Sequence, residues 1–177
     1  MNKPTNETEG KWLLSPEFDR RSLQKYPHTD IAQGYIAHDQ NGTTVRVRHE
    51  KSRMYEGLFT LNVKGKKSAG SGSEFEKSIT QCEFWELWPL SEGRRVEKRR
   101  YICPLVGAYA LEGTAEVDVF SGKHDGLVVV EVEVASMGDL EKLRTSPPDW
   151  FGLDVTDDPR YSNVWLASHG IPPLADS

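Results

Sequence analysis

Like charges recur two residues apart along this chain. Acidic pairs fall at Glu7 and Glu9, Glu74 and Glu76, Glu116 and Asp118, and Glu131 and Glu133, and basic pairs at Arg46 and Arg48 and at Lys98 and Arg100. In an extended strand, residues two apart leave the same face, so each pair projects as a unit. Lys11 and Lys64 share the parity of their charged or polar neighbours, while the alternate positions are apolar: Val45 and Val47, Leu61 and Val63, Val117 and Val119, and Val128 through Val134 in steps of two. For any single pair, a solvated sheet face is the plain reading, since charged residues mostly sit exposed. A solvated face mixes signs, however, because like neighbours repel, and here whole strands are segregated by sign. If the charged parity points inward, gathered carboxylates must protonate or recruit a cation, and hard divalent ions prefer oxygen ligands of this kind. Mg²⁺ or Mn²⁺ is implied, and the facing Arg and Lys side chains need an anion. A polyphosphate carrying metal satisfies both walls at once.

The elements that must position these residues read as strands. Period-two alternation predicts strands near 7–14, 32–38, 43–50, 57–64, 73–79, 94–102, 115–120 and 127–135. Roughly eight strands is the number at which a closed antiparallel barrel becomes wide enough for a small ligand, so the expected fold is mainly β, a closed eight-stranded barrel. Asp39-Gln40-Asn41-Gly42 suits a tight hairpin, and 121–126 links two late strands. Residues 80–89 place Phe84, Leu87 and Trp88 at helical spacing behind a Thr N-cap and ahead of a proline, a stripe read as packing against the barrel wall. Short helices are expected near 138–143 and 163–169, the latter C-terminal to the strands.

The 177 residues suit one domain with its core over about 7–170, and a net charge of −5 argues against a nucleic-acid binder with a broadly basic surface. Cys82 and Cys103 lack the spacing of a zinc site or redox dithiol and read as reduced, partly buried thiols. No stretch approaches the apolar length of a membrane span, so a soluble cytoplasmic protein, monomer or homodimer, is expected. The stretch 69–73 is Gly-rich but lacks the Lys-Ser/Thr of a phosphate-binding loop. The five histidines share no ligand spacing and read as surface residues, and Asp154 to Asp158 reads as a capping and turn segment.

Glu7-Thr8-Glu9-Gly10-Lys11, Gln33-Gly34-Tyr35, Val45-Arg46-Val47-Arg48, Leu61-Asn62-Val63-Lys64-Gly65, Glu74-Phe75-Glu76, Glu92 through Tyr101, Glu116-Val117-Asp118, Glu131-Val132-Glu133 and Trp150 through Thr156 with Arg160-Tyr161-Ser162-Asn163 follow one another along the chain. In that order the segments resemble the CYTH, or triphosphate tunnel, family, and 88–98 is most similar to its small bacterial tripolyphosphatases. The resemblance implies metal-dependent hydrolysis of inorganic tripolyphosphate with release of orthophosphate, inside a tunnel with metal on the acidic wall. It implies Glu7, Glu9, Glu131 and Glu133 as first metal ligands, with Glu76, Glu116 and Asp118 supporting. Arg46, Arg48, Lys64, Lys98 and Arg100 would clamp phosphate. Lys11 with Tyr35 is similar to a pair that assists proton transfer, which cations crowding Lys11 would promote by lowering its pKa; the plain alternatives are a phosphate ligand for Lys11 and packing for Tyr35. The implied chemistry uses two ions, one on the phosphates and one orienting the attacking water. Rival readings are a nucleotidyl cyclase or thiamine triphosphatase in the same tunnel, and a polyphosphate-binding module without turnover. The chain departs from the family at Gly10 and Gly72, where Arg is common, at Asn62, where Thr is usual, and at Arg99, which replaces Thr. Gly10 should face away from the lumen, and the missing Arg at 72 puts substrate choice and activity in question.

Overall fold

The computed structural model describes residues 8–65, 73–105 and 113–173. Glu7, Gly72 and most of the Gly-rich stretch lie outside them. Among the described residues nine strands are present: β1 (Thr8–Leu14), β2 (His28–His38), β3 (Thr44–Ser52), β4 (Tyr55–Lys64), β5 (Glu74–Ser78), β6 (Arg95–Leu105), β7 (Gly113–Ser121), β8 (Val128–Val134) and β9 (Phe151–Asp154). The helices are α1 (Gln81–Leu87), α2 (Met137–Thr145) and α3 (Asn163–His169), and a 3-10 turn at Arg20–Lys25 precedes β2.

The strands form one antiparallel sheet in the order β5-β4-β3-β2-β6-β7-β8-β1-β9. The expected closed eight-stranded barrel is therefore wrong. Closure would pair β1 with β5, but the free edge of β1 is taken by β9, through Trp12 with Asp154 and Leu14 with Phe151. Just beyond β9, Val155 N donates to Lys11 O and Lys11 N to Thr156 Oγ1. With that edge occupied, β5 and β9 remain as the two ends of an open sheet.

Alternation divides the sheet as the sequence pattern demands. The apolar parity of β1, β6, β7 and β8 makes one core, with Trp12, Tyr101, Val117, Val130 and Val132 under Leu140 and Leu143 of α2 and Leu23 of the 3-10 turn. Gly10 belongs to this face: a Cβ there would meet the Trp12 ring and lie 2.7 Å from Leu140 Cδ1. α1 begins with a capping box, in which Thr80 accepts from Glu83 N and the Glu83 carboxylate accepts from Thr80 N, and its Phe84 is buried against His49 and Phe59. The aromatic stripe is packing, as expected, with Trp85 left exposed.

α3 departs from that scheme. Leu166 and Ala167 pack against Tyr35, Val96, Phe120 and Val129, all on the charged parity of their strands. The helix thus covers one end of the charged face with an apolar plug. Lys123 and His124, from the β7–β8 connection, hold its C-terminal carbonyls at Ala167 and Leu166. His124 is buried, unlike the surface residue expected, and Cys82 is exposed where partial burial was expected.

Candidate active site

The sheet curls so that its two halves face each other across a cavity of about 620 Å³. Glu9, Lys11, Arg46, Arg48, Lys64, Arg100, Glu116, Glu131 and Glu133, all sequence candidates, line it together with Glu74 and Asn163. Lys98, Asp118 and Tyr35 lie buried and outside that lining, and Glu76 is exposed on the edge strand. Inward charge thus survives the loss of barrel closure.

One half is a continuous ion-pair network. Strand register sets Lys11 opposite Glu131, Glu131 opposite Glu116, and Arg100 opposite Asp118. Arg100 grips Asp118 with Nε at 2.7 Å and Nη2 at 2.6 Å, reaches Glu131 at 2.7 Å and also contacts Glu116. Lys98 bonds Asp118 from below and Asn163 Oδ1 at 3.3 Å. Lys11 lies between Glu131 at 2.7 Å and Glu9 at 2.8 Å. Burial alone would raise the Asp118 carboxyl, but the Lys98 charge and the Arg100 bonds prevail and hold it at about 2. Burial likewise would lower the Lys11 ammonium; Glu131 and Glu9 overcome it and push the pKa up. The crowding by cations that would have lowered it is absent, because its near neighbours are carboxylates. Glu116, shielded from water more than it is helped by Arg100, is shifted upward.

The other half holds two of its cations at longer range from carboxylate. Arg46 and Lys64 approach carboxylate only at 3.9 and 3.8 Å, both from Glu74. Glu74 in turn accepts from Asn62 Nδ2 at 2.7 Å, a bond that heads the causes lowering its pKa. Arg48 is fixed by Gln33 Oε1 at 2.9 Å and by Glu50 at 2.9 Å. Gln33 also donates to the Tyr35 hydroxyl at 2.7 Å, and among the described residues no hydrogen bond joins Tyr35 to Lys11. Gln33, Asn62, Glu50 and Asn163 were given no site role from sequence, although Gln33 and Asn163 fall in the matched segments and Asn62 marks a departure from them. The neutral three carry no charge pattern, and only their place on the inward parity or at a helix start could have flagged them.

Among the described residues no group of three or more His, Cys, Asp or Glu side chains converges closely enough to hold a metal ion. Two acids share a register position: Glu9, which also carries Lys11 at 2.8 Å, lies directly opposite Glu133 across β1 and β8. Like charges at such a pair repel, and a hard cation between them removes the cost. Mg²⁺ is commonly held by one or two carboxylates plus substrate phosphates, so the donor set fits an ion that arrives with a polyphosphate.

No protein-family model matches the chain. It is 35% identical over 161 residues to an inorganic triphosphatase of Nitrosomonas europaea, covering 91% of this chain and 96% of that protein. It is 38% identical over 139 residues to an inorganic triphosphatase of Acetivibrio thermocellus, covering 77% and 79%. A crystal structure described as the inorganic triphosphatase NE1496 shares 33% identity and superposes with a TM-score of 0.66, covering 92% of this chain and 94% of that one. With the segments, the charge-divided cavity and these relatives in agreement, the chain belongs to the inorganic triphosphatases of the CYTH superfamily.

Proposed function

We propose that this protein is a metal-dependent hydrolase that cleaves inorganic tripolyphosphate to release orthophosphate. The observation that carries the reading is the division of one cavity into an acidic half, β7-β8-β1, and a cationic half in which, among the described residues, Arg46 and Lys64 meet carboxylate only at 3.9 and 3.8 Å. Cations so placed are an anion seat, and Arg48 extends it. Glu9 and Glu133, with Glu131 and Glu116 beside them, would hold one or two Mg²⁺ or Mn²⁺ ions, which supply charge neutralisation on the phosphates and acidify water.

The chain's own residues do the rest by positioning and electrostatics, which dominate phosphoryl transfer. Arg46, Arg48 and Lys64 bind phosphate oxygens. Lys11 and Arg100, kept cationic by their carboxylate neighbours, border the acidic half and stabilise charge that builds on the leaving oxygen. Lys98 and Asp118 sit behind Arg100 and fix its orientation. Apolar α3 closes one end, so substrate enters from the other. Lys11, its pKa raised by Glu131 and Glu9, serves as a cation. The proposed setting is the cytoplasm, with a free polyanion as substrate and no nucleic-acid partner.

A substrate panel tests the reading. With Mg²⁺, tripolyphosphate should yield orthophosphate faster than ATP, thiamine triphosphate or long polyphosphate does. Cyclic AMP and pyrophosphate from ATP with Mn²⁺ would instead indicate a cyclase. Tight metal-dependent binding without phosphate release from any member would indicate a binding module.

A further inference from the structure

We infer that Gln33 is a positioning residue for this cavity, setting the guanidinium of Arg48 and the direction of the Tyr35 proton together; the inference rests on the cavity being a polyphosphate site. Gln33 is 0% exposed in the middle of β2, across from Arg48 on β3 and Val96 on β6. Its two bonds, from Arg48 Nε at 2.9 Å and to the Tyr35 hydroxyl at 2.7 Å, use both ends of the amide.

The chemistry of the partners decides which end is which. A guanidinium can only donate, so the amide oxygen must face Arg48 and the amide nitrogen must face Tyr35. The phenol oxygen therefore accepts, and its own proton points away from Gln33. Burial pushes the Tyr35 pKa up, with the Arg46 and Arg48 charges only partly opposing, so the phenol keeps that proton. With Arg48 Nε on Gln33 and one Nη1 hydrogen on Glu50, Nη2 is, among the described residues, the nitrogen with both hydrogens left for a phosphate oxygen.

Neutrality is the second half of the inference. Arg100 is fixed by three carboxylates, Glu116, Asp118 and Glu131, whereas Arg48 has one, Glu50, and its second hold, Gln33, adds no further charge. A carboxylate at this position would hold the arginine equally well and weaken the anion seat. It would also reverse the Tyr35 hydrogen bond, since a carboxylate can only accept.

Steady-state kinetics on tripolyphosphate with Mg²⁺ test this in Gln33→Met, Gln33→Glu, Tyr35→Phe, Arg48→Lys and the Tyr35→Phe/Arg48→Lys double variant. Losing a hydrogen bond to a charged group predicts a KM raised about 10- to 100-fold in Gln33→Met, with a smaller fall in kcat. Gln33→Glu should raise KM further although it keeps size and shape. Tyr35 and Arg48 meet through Gln33, so the double variant should cost less than the product of the two single losses. KM within about twofold of wild type in both Gln33 variants, or strictly multiplicative losses in the double variant, overturns the inference. If the Gln33 variants do not fold, the double variant, which retains Gln33, decides alone. A wild type that turns over no triphosphate defeats the proposed function instead, and calorimetric binding of tripolyphosphate to the same variants then decides the role of Gln33.

Discussion

Lys11 shows how far a residue's type falls short of its state. From sequence it is a lysine in a strand of acids, and a role in proton transfer required that cations crowd it. Register places Glu131 directly across from it and Glu9 beside it, and the ammonium is held protonated. Its raised pKa means that whatever stability it adds is complete below the ordinary lysine range and is lost only in strong alkali. A fixed cation can be replaced by another. Lys11→Arg should keep activity within about tenfold of wild type, while Lys11→Gln should lose at least about a further tenfold, the cost of a charged hydrogen bond. Orthophosphate release assays at neutral pH measure both, and equal losses would argue for a proton-transfer role.

Arg46 and Lys64 make a complementary case. Arg46→Ala and Lys64→Ala should each raise KM for tripolyphosphate about 10-fold or more with the fold intact, since among the described residues each meets carboxylate only at 3.9 or 3.8 Å, from the half-exposed Glu74. Their sign and parity could be seen in the sequence. The neutral side chains of this half could not: Gln33, which holds Arg48, and Asn62, which holds Glu74, belong to no charge pattern and gain meaning only from what lies across the strand.

At the scale of elements, alternation placed eight of the nine strands among the described residues, and the helices expected near 80–89, 138–143 and 163–169 are all there. It missed β9, where Phe151-Gly152-Leu153-Asp154 is too short to show a period and contains a glycine. That omission changed the predicted architecture, since β9 occupies the edge that barrel closure would need. Gly10 was expected to turn its side away from the charged face, and it lies under α2 against Trp12 and Leu140. Gly10→Ala should therefore cost about 1–3 kcal/mol through overpacking, read as a lowered Tm. An unchanged Tm would mean that α2 does not press on β1 as described.

Asp118 ties β6 to β7 from within. Buried at 0% exposure and bonded by Lys98 and Arg100, it is the counter-ion for both. Asp118→Asn leaves buried Lys98 without its ion-pair partner and takes one of three carboxylates from Arg100, and should cost about 3–5 kcal/mol at neutral pH by urea unfolding. The native carboxyl sits at about 2, below its ordinary 3.8, so its contribution is complete above that range and is lost as pH falls through the lower value. The gap between wild type and Asp118→Asn should accordingly narrow as pH is lowered from 4 toward 2. A gap that stays constant would separate Asp118 from the charge network.

For the molecule as a whole, curvature does what closure was expected to do. An open sheet brings Lys64 and Glu74, near one edge, and Glu9 and Glu133, near the other, to the same cavity. The sign-segregated strands made this division legible without any coordinates, because a period of two fixes which side chains share a face. The route by which the faces meet was not legible, since it depends on pairing between segments far apart in sequence. Phosphorus NMR of tripolyphosphate incubated with the purified protein tests the central claim most directly. With Mg²⁺ the triphosphate resonances should be replaced by equal amounts of pyrophosphate and orthophosphate, and excess EDTA should halt the conversion. A spectrum unchanged by the protein in Mg²⁺, or hydrolysis that proceeds undiminished in EDTA, would contradict the account.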